Sequence, residues 1–171
     1  MEIYFIGGIH GAGKGTICKK ICQKTNLTHL IASDILKWEE ISTKDNKNVL
    51  DIQDTQDRLL VGLKDKTVDG SSYLLDGHYC LFNGKGEVEK IPLETFRIIK
   101  PKLVAIVEEN IEVIKQRLEN RDNRKYEYVL LDDMQNIEKR YAKYIAKRLK
   151  VPFFEIKENR INELIEFILK Q

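Results

Sequence analysis

Residues 8 to 16 read Gly-Ile-His-Gly-Ala-Gly-Lys-Gly-Thr and stand between two segments of different hydrophobic period. Before them, the first six residues are mostly apolar and β-favouring, which predicts a fully buried strand stopping at Gly7-Gly8. After them, Ile17, Cys18, Ile21 and Cys22 recur at helical spacing between Lys14 and Lys24. A strand that is apolar on both faces must be covered on both. A glycine turn leading directly from such a strand into a helix therefore points to a parallel α/β fold.

The rest of the chain repeats this alternation. Residues 28–32 read as a second short strand, before a helix that Ser33 or Asp34 caps and that carries Ile35, Leu36, Trp38 and Ile41. A polar stretch over 42–48 interrupts the pattern. Asp54 is a cap for the next helix, where Leu59, Leu60 and Leu63 mark one face up to the break at Asp69-Gly70. Residues 73–75 read as a buried strand ending at Asp76-Gly77, and 77–92 as a loop or small hairpin around Asn83-Gly84 and Gly86. Residues 102–107 read as a strand, followed from about Asn110 by a helix with Ile111, Ile114 and Leu118 on its inward face. A longer helix places Leu130, Met134, Ile137, Tyr141, Tyr144 and Arg148 inward, with a Glu, Lys and Asn face opposite. A fifth strand over 151–156 and a closing helix with Ile161, Leu164, Ile165 and Ile168 complete the reading. The expectation is a three-layer α/β fold, a five-stranded parallel sheet with helices on both faces, in one domain spanning 1–171.

Composition narrows the function. With 29 Lys and Arg against 27 Asp and Glu, the net charge of +2 gives no overall field toward nucleic acid or a membrane surface, so any anion site must be local. Three cysteines cannot all pair within the chain, and the first residues lack a basic region and long apolar stretch, which reads as a reduced, cytoplasmic protein. No apolar run approaches the ~20 residues of a membrane span.

The residues of the glycine loop point to its ligand. Glycines let consecutive backbone N–H groups turn toward one anion, and the following helix presents its positive end to the same phosphate. The stretch matches the loop that binds nucleoside triphosphates, with Gly15 standing between the lysine and the hydroxyl residue. Lys14 then reaches the β and γ phosphates of ATP, and the Thr16 hydroxyl meets the Mg2+ ion that bridges them. Asp76, closing an apolar strand at its carboxyl end, is a second candidate anchor for magnesium. Arginine is scarce, eight in the chain, yet Arg117, Arg121, Arg124 and Arg140 fall close together. Their planar charged forks suit phosphate oxygens, although a solvated helix face is the alternative.

The Gly-Lys-Gly-Thr ending of the loop resembles the nucleoside monophosphate kinases, and further residues resemble archaeal-type adenylate kinases. These are Asp54-Thr55-Gln56-Asp57-Arg58, Asp76-Gly77-His78, Asn83-Gly84-Lys85-Gly86 leading to Ile91-Pro92, Lys100-Pro101-Lys102 before a strand ending Val107-Glu108, and Arg117-Leu118 before a short lid. The resemblance implies ATP and Mg2+ as cofactors and phosphoryl transfer to a nucleoside monophosphate, AMP above others. Transferred by position, it implies that Gly8, Gly11, Ala12, Gly13, Lys14, Gly15 and Thr16 hold the donor phosphates and that Asn159 lies at the donor adenine. It implies Ser33, Asp34, Lys37 and Arg58 for the acceptor, and Arg121, Arg124 and Arg140 closing over the reacting phosphates. It also allows a homo-oligomer, since archaeal-type members can be trimers. Common bacterial adenylate kinases continue Asp-Gly-Phe-Pro-Arg, whereas this chain reads Asp76-Gly77-His78-Tyr79-Cys80 and lacks the arginine and the long lid.

Some positions stay open on the sequence. His78 either contacts a phosphate or the attacking group, or packs and hydrogen-bonds. Trp38 either stacks on an acceptor base or packs. Cys18 and Cys22 lack a second ligand pair and read as small buried residues rather than a metal site. Against the kinase stand a regulatory ATP-binding module that hydrolyses slowly, and a kinase for another small molecule or a nucleic-acid end. The absence of a basic stripe with aromatic stacking positions weighs against nucleic acid.

Overall fold

The computed structural model describes residues 1–36, 52–83, 85, 87–157 and 160–171. Strand β1 (Glu2–Gly7) feeds helix α1 (Lys14–Lys24), and β2 (Thr28–Ile31) is followed at once by the short α2 (Ala32–Leu36). Next come α3 (Ile52–Lys66), β3 (Ser72–Asp76), the hairpin strands β4 (Cys80–Phe82) and β5 (Val88–Lys90), and α4 (Leu93–Ile99). Strand β6 (Leu103–Val107), α5 (Ile111–Asp122), α6 (Tyr128–Leu149), β7 (Phe153–Ile156) and α7 (Ile161–Leu169) follow.

Five strands form one sheet in the order β2-β3-β1-β6-β7, all pairs parallel, while β4 and β5 form a separate antiparallel ribbon. Alternate residues of a strand point to opposite faces, so each strand serves two cores. Tyr4, Ile6, Leu74, Leu103 and Ala105 pack with Cys18, Ile21, Ile114 and Ile165 on one face. Ile3, Phe5, Leu75, Val104 and Ile106 pack with Leu59, Leu63, Phe96 and Ile145 on the other. The 22-residue α6 serves both: Leu131 and Met134 join the first core, and Tyr141, Ala142 and Ile145 the second.

The helix ends follow local chemistry. The Asn110 side chain accepts the Glu112 N–H at 2.8 Å and caps α5. Replacing it with alanine orphans that donor and is expected to cost about 1 kcal/mol in chemical denaturation. An unchanged midpoint would show that solvent satisfies the helix end equally well.

Four expectations need correction. Helix α2 starts at Ala32, so Ser33 and Asp34 lie in its first turn rather than capping it, because β2 runs into the helix with no intervening loop. Asp54 likewise lies inside the first turn of α3. Helix α4 has no counterpart in the sequence reading, although Pro92 before it and buried Thr95, Phe96 and Ile99 within it carry the signal. The inward stripe of α6 is rotated: Leu130 and Tyr144 are exposed, whereas Leu131, Glu138 and Ile145 are buried. Trp38, Ile41 and the polar stretch 42–48 lie outside the described residues.

Candidate functional site

The strand order reverses around β1, so the crevice at its carboxyl end is where an open parallel sheet receives a ligand. The glycine loop leaves β1 at this point. Gly13 stands at the N-cap of α1 with φ 90°, a left-handed value that side-chain-bearing residues rarely adopt, and no side chain caps the helix. The N–H groups of Thr16 and Ile17 donate to the Gly13 carbonyl at 3.1 and 3.2 Å, which leaves the N–H groups before them for an external acceptor. Gly8 has φ 148°, and a Cβ there would lie 2.7 Å from the Val107 carbonyl oxygen, which holds this turn against β6.

Lys14 folds back over the loop. Its Nζ donates to the Gly8 carbonyl at 2.7 Å and to the Ile9 carbonyl at 3.4 Å, and stands 4.0 Å from Asp76 Oδ1. Asp76 is placed by the last ladder position of β3, paired in register with Ile6 and Ile31, and its residue is only 8% exposed. Its second oxygen lies 3.9 Å from His29 Nε2. Arg117, on α5, donates to the Gly11 carbonyl at 3.0 Å and pairs with Glu109 at 3.1 Å, which braces the middle of the loop.

Behind Asp76 lies a group the sequence reading missed. Glu138 is fully buried and accepts the backbone N–H groups of Tyr79 at 3.0 Å and Cys80 at 3.2 Å through Oε1. The same oxygen is 3.5 Å from His78 Nδ1, and the His78 ring lies 4.3 Å from that of His10. Burial pushes the Glu138 carboxyl up to about 7, against the lowering influence of Lys14 and of the two N–H groups. The residue belongs to the stripe Leu131, Met134, Tyr141 and Ile145, so its burial follows from helical spacing once the stripe is phased correctly.

A cavity of about 960 Å³ runs from the loop across the carboxyl ends of the strands. Gly11, Ala12, Gly13, Lys14, Gly15, Thr16, Asp76, Arg117 and Lys157 line its polar end. Phe5, Leu36, Leu59, Phe96 and Ile99 line an apolar end, with Ser33, Gln56, His78 and Thr95 as its polar members. Gln56 is 2% exposed and its Oε1 has no hydrogen-bond partner.

The structure thus brings together the loop, Asp76, His78, Ser33 and Arg117. Asp34, Arg58 and Arg140 are exposed on α2, α3 and α6 and do not line the cavity. Arg58 is adjacent in sequence to Leu59, which does face it, and Arg140 sits two positions from buried Glu138, on another side of the helix. Arg121 and Arg124 border a separate small cavity of about 50 Å³ beside His10 and Tyr126. Arg121 pairs with Asp122 at 2.7 Å, and Arg124 stacks on Tyr126 with 4.7 Å to the ring centroid. Lys37 and Asn159 lie outside the described residues. Lys157, just before Asn159, faces the cavity, and no periodic signal marks it.

A five-stranded parallel sheet in this order, with a glycine-lysine loop leaving its central strand, is the fold of the P-loop kinases. The shikimate kinase of Acinetobacter baumannii, solved in complex with shikimate, superposes with a TM-score of 0.60 at 17% identity, over 99% of this chain and 92% of that one. The chain belongs to the AAA_17 family, described as an AAA domain, whose model matches residues 7–138. Adenylate kinase isoenzyme 1 of Rattus norvegicus is 29% identical over 130 residues, covering 70% of this chain. That match spans 64% of the rat enzyme, less than two thirds of its length. UMP-CMP kinase 3 of Oryza sativa subsp. japonica is 23% identical over 172 residues, 96% of this chain and 78% of that protein.

Proposed function

We propose that this protein transfers the γ-phosphoryl group of ATP to a nucleoside monophosphate, with AMP the favoured acceptor. The observation that carries this reading is the single cavity that joins a phosphate-binding loop to an apolar chamber with a few polar groups. One end has the chemistry for phosphates, and the other has aromatic and aliphatic lining with few polar side chains, which suits a nucleobase. The resemblance to adenylate kinases, at Asp54 to Arg58 and Asp76 to His78, supports AMP.

The loop backbone, the uncapped start of α1 and Lys14 would hold the β and γ phosphates. Thr16 and Asp76 fit a magnesium ion, because both are hard oxygen donors at the polar end and Asp76 is a nearly buried carboxylate facing a cavity. When bound, the ion neutralises charge on the transferring phosphoryl group. Arg117 holds the loop in shape. Gln56, Ser33 and Thr95 would bind the acceptor, and Phe5 and Phe96 would exclude water around it. Phosphoryl transfer asks mainly for positioning and charge, so the chain needs no nucleophile of its own.

Purified protein with Mg-ATP and AMP is expected to make two ADP, and to run the reaction in reverse. If AMP, CMP, UMP, GMP and dAMP all leave ADP formation at the rate of background hydrolysis, the kinase reading fails and a regulatory ATPase takes its place. Within the kinase reading, Gln56→Met should raise the acceptor KM about tenfold and leave the KM for ATP nearly unchanged, since one buried hydrogen bond is lost at similar volume. Equal changes in both constants would remove Gln56 from the acceptor subsite.

The connection between α5 and α6 would act as a short lid carrying Arg124. Tyr126 anchors it, donating its N–H to Glu119 at 3.1 Å and its hydroxyl to Asp122 at 2.5 Å. Hydrogen exchange over residues 121–127 is expected to slow when ATP and an acceptor are both present. Exchange insensitive to both ligands would take the segment out of the reaction.

A further inference from the structure

Three side chains from three elements meet beside the phosphate loop. Cys18 comes from α1, His29 from β2 and Asp76 from β3, and their Sγ, imidazole nitrogen and carboxylate oxygen all lie within 4.8 Å of one another. The register explains the meeting. His29 pairs with Leu74 and Ile31 with Asp76, so His29 and Asp76 are diagonal neighbours on the face of the sheet that α1 covers. Cys18 is 0% exposed and faces them from one turn into the helix.

The electrostatics of this cluster are incomplete. His29 Nε2 is buried with no hydrogen-bond partner, and at 3.9 Å Asp76 Oδ2 is too distant to be one. The two carboxylate oxygens are divided: Oδ1 faces Lys14, and Oδ2 faces His29. A soft sulfur, an imidazole nitrogen and one carboxylate oxygen are the donor set that zinc takes, whereas magnesium takes oxygen alone. In a tetrahedral zinc site donor atoms lie about 3.3 to 3.8 Å apart, so closing this cluster requires side-chain shifts of roughly 1 Å. Asp76 borders the main cavity, which leaves the fourth position open to water or a phosphate oxygen.

We infer that Cys18, His29 and Asp76 form a site for a soft divalent ion of the zinc class, and that an ion held there competes with the magnesium nucleotide for Asp76. Binding breaks the Cys18 S–H bond as the metal–sulfur bond forms, and the proton leaves to solvent. The site itself does not depend on the kinase reading, while the competition rests on it. The consequence is an enzyme inhibited by zinc at a residue its own reaction needs.

Cobalt(II) added to the reduced, full chain tests this, because thiolate coordination gives a near-ultraviolet charge-transfer band that carboxylate or imidazole ligation alone does not. One equivalent is expected to bind with that band, to be displaced by zinc, and to behave the same in Cys22→Ser. The band should vanish in Cys18→Ser and in Cys18→Ala, either of which suffices if the other fails to fold. Affinity should fall at least about tenfold in His29→Gln. A band missing from the unaltered chain, or persisting without the Cys18 thiol, overturns the site. A band that forms normally but is indifferent to Mg-ATP overturns the competition. A normal band in a protein that phosphorylates no nucleoside monophosphate would refute the kinase reading and leave the metal site standing.

Discussion

Lys14→Ala is expected to lower ATP-dependent phosphoryl transfer by at least about 100-fold while the protein stays folded. The magnitude follows from losing a preorganised positive charge where negative charge gathers on the transferring group, typically ~10²–10³ in rate. The fold should tolerate the change because the ammonium hydrogen-bonds two loop carbonyls at the edge of the cavity, and the residue is absent from both apolar cores. Measured kcat/KM against circular dichroism and a melting curve separates the two effects. A loss below about tenfold, ~1.4 kcal/mol, would deny Lys14 a role in the reaction.

The second large effect concerns Glu138. Its carboxyl is raised by burial from the ordinary value of 4.5 to about 7, so between these values the folded protein holds a proton that the unfolded chain has released. Stability therefore falls as pH rises through this window and levels off above about 7, a loss on the order of 3 kcal/mol. Glu138→Gln keeps an oxygen for the Tyr79 and Cys80 N–H groups and has nothing to ionise. It is expected to flatten that slope and to exceed the parent in stability at pH 8. Glu138→Ala instead orphans both donors at about 1–3 kcal/mol each and should be destabilised at every pH. Urea denaturation from pH 4 to 8 measures all three chains, and parallel profiles for parent and Glu138→Gln would show that Glu138 stays ionised.

The parallel sheet and the phosphate loop were legible in the sequence for one reason: both are written in short-range pattern. Five apolar runs ending in glycine or polar breaks needed no tertiary knowledge. The helix after the loop begins and ends where its spacing predicts, at Lys14 and Lys24. The apolar end of the cavity was not legible in that way. Which face of α3 meets the cavity is decided by how the helix seats on α2 and α4, so the cavity receives Gln56 and Leu59 while Arg58 turns outward. Glu138 was hidden by a phase error of one residue in α6. Reading Leu130 and Tyr144 as inward put a glutamate on the wet side, whereas the buried stripe keeps one phase from Leu131 to Ile145 while passing from one core to the other. His29 offered no signal at all, because its meeting with Cys18 and Asp76 depends on the lateral register of two strands.

The two carbonyl hydrogen bonds of Lys14 set a threshold on what can occupy the loop. Without a ligand, Gly8 and Ile9 already satisfy the ammonium, so an incoming group must outbid acceptors that are tethered to the same nine residues. A neutral oxygen exchanges like for like and gains almost nothing. An anionic phosphate oxygen adds charge–charge attraction to the hydrogen bond and wins the exchange. A loop that occupies its own cation in this way is expected to reject uncharged molecules, with selectivity for charge set in the resting state rather than in the bound one.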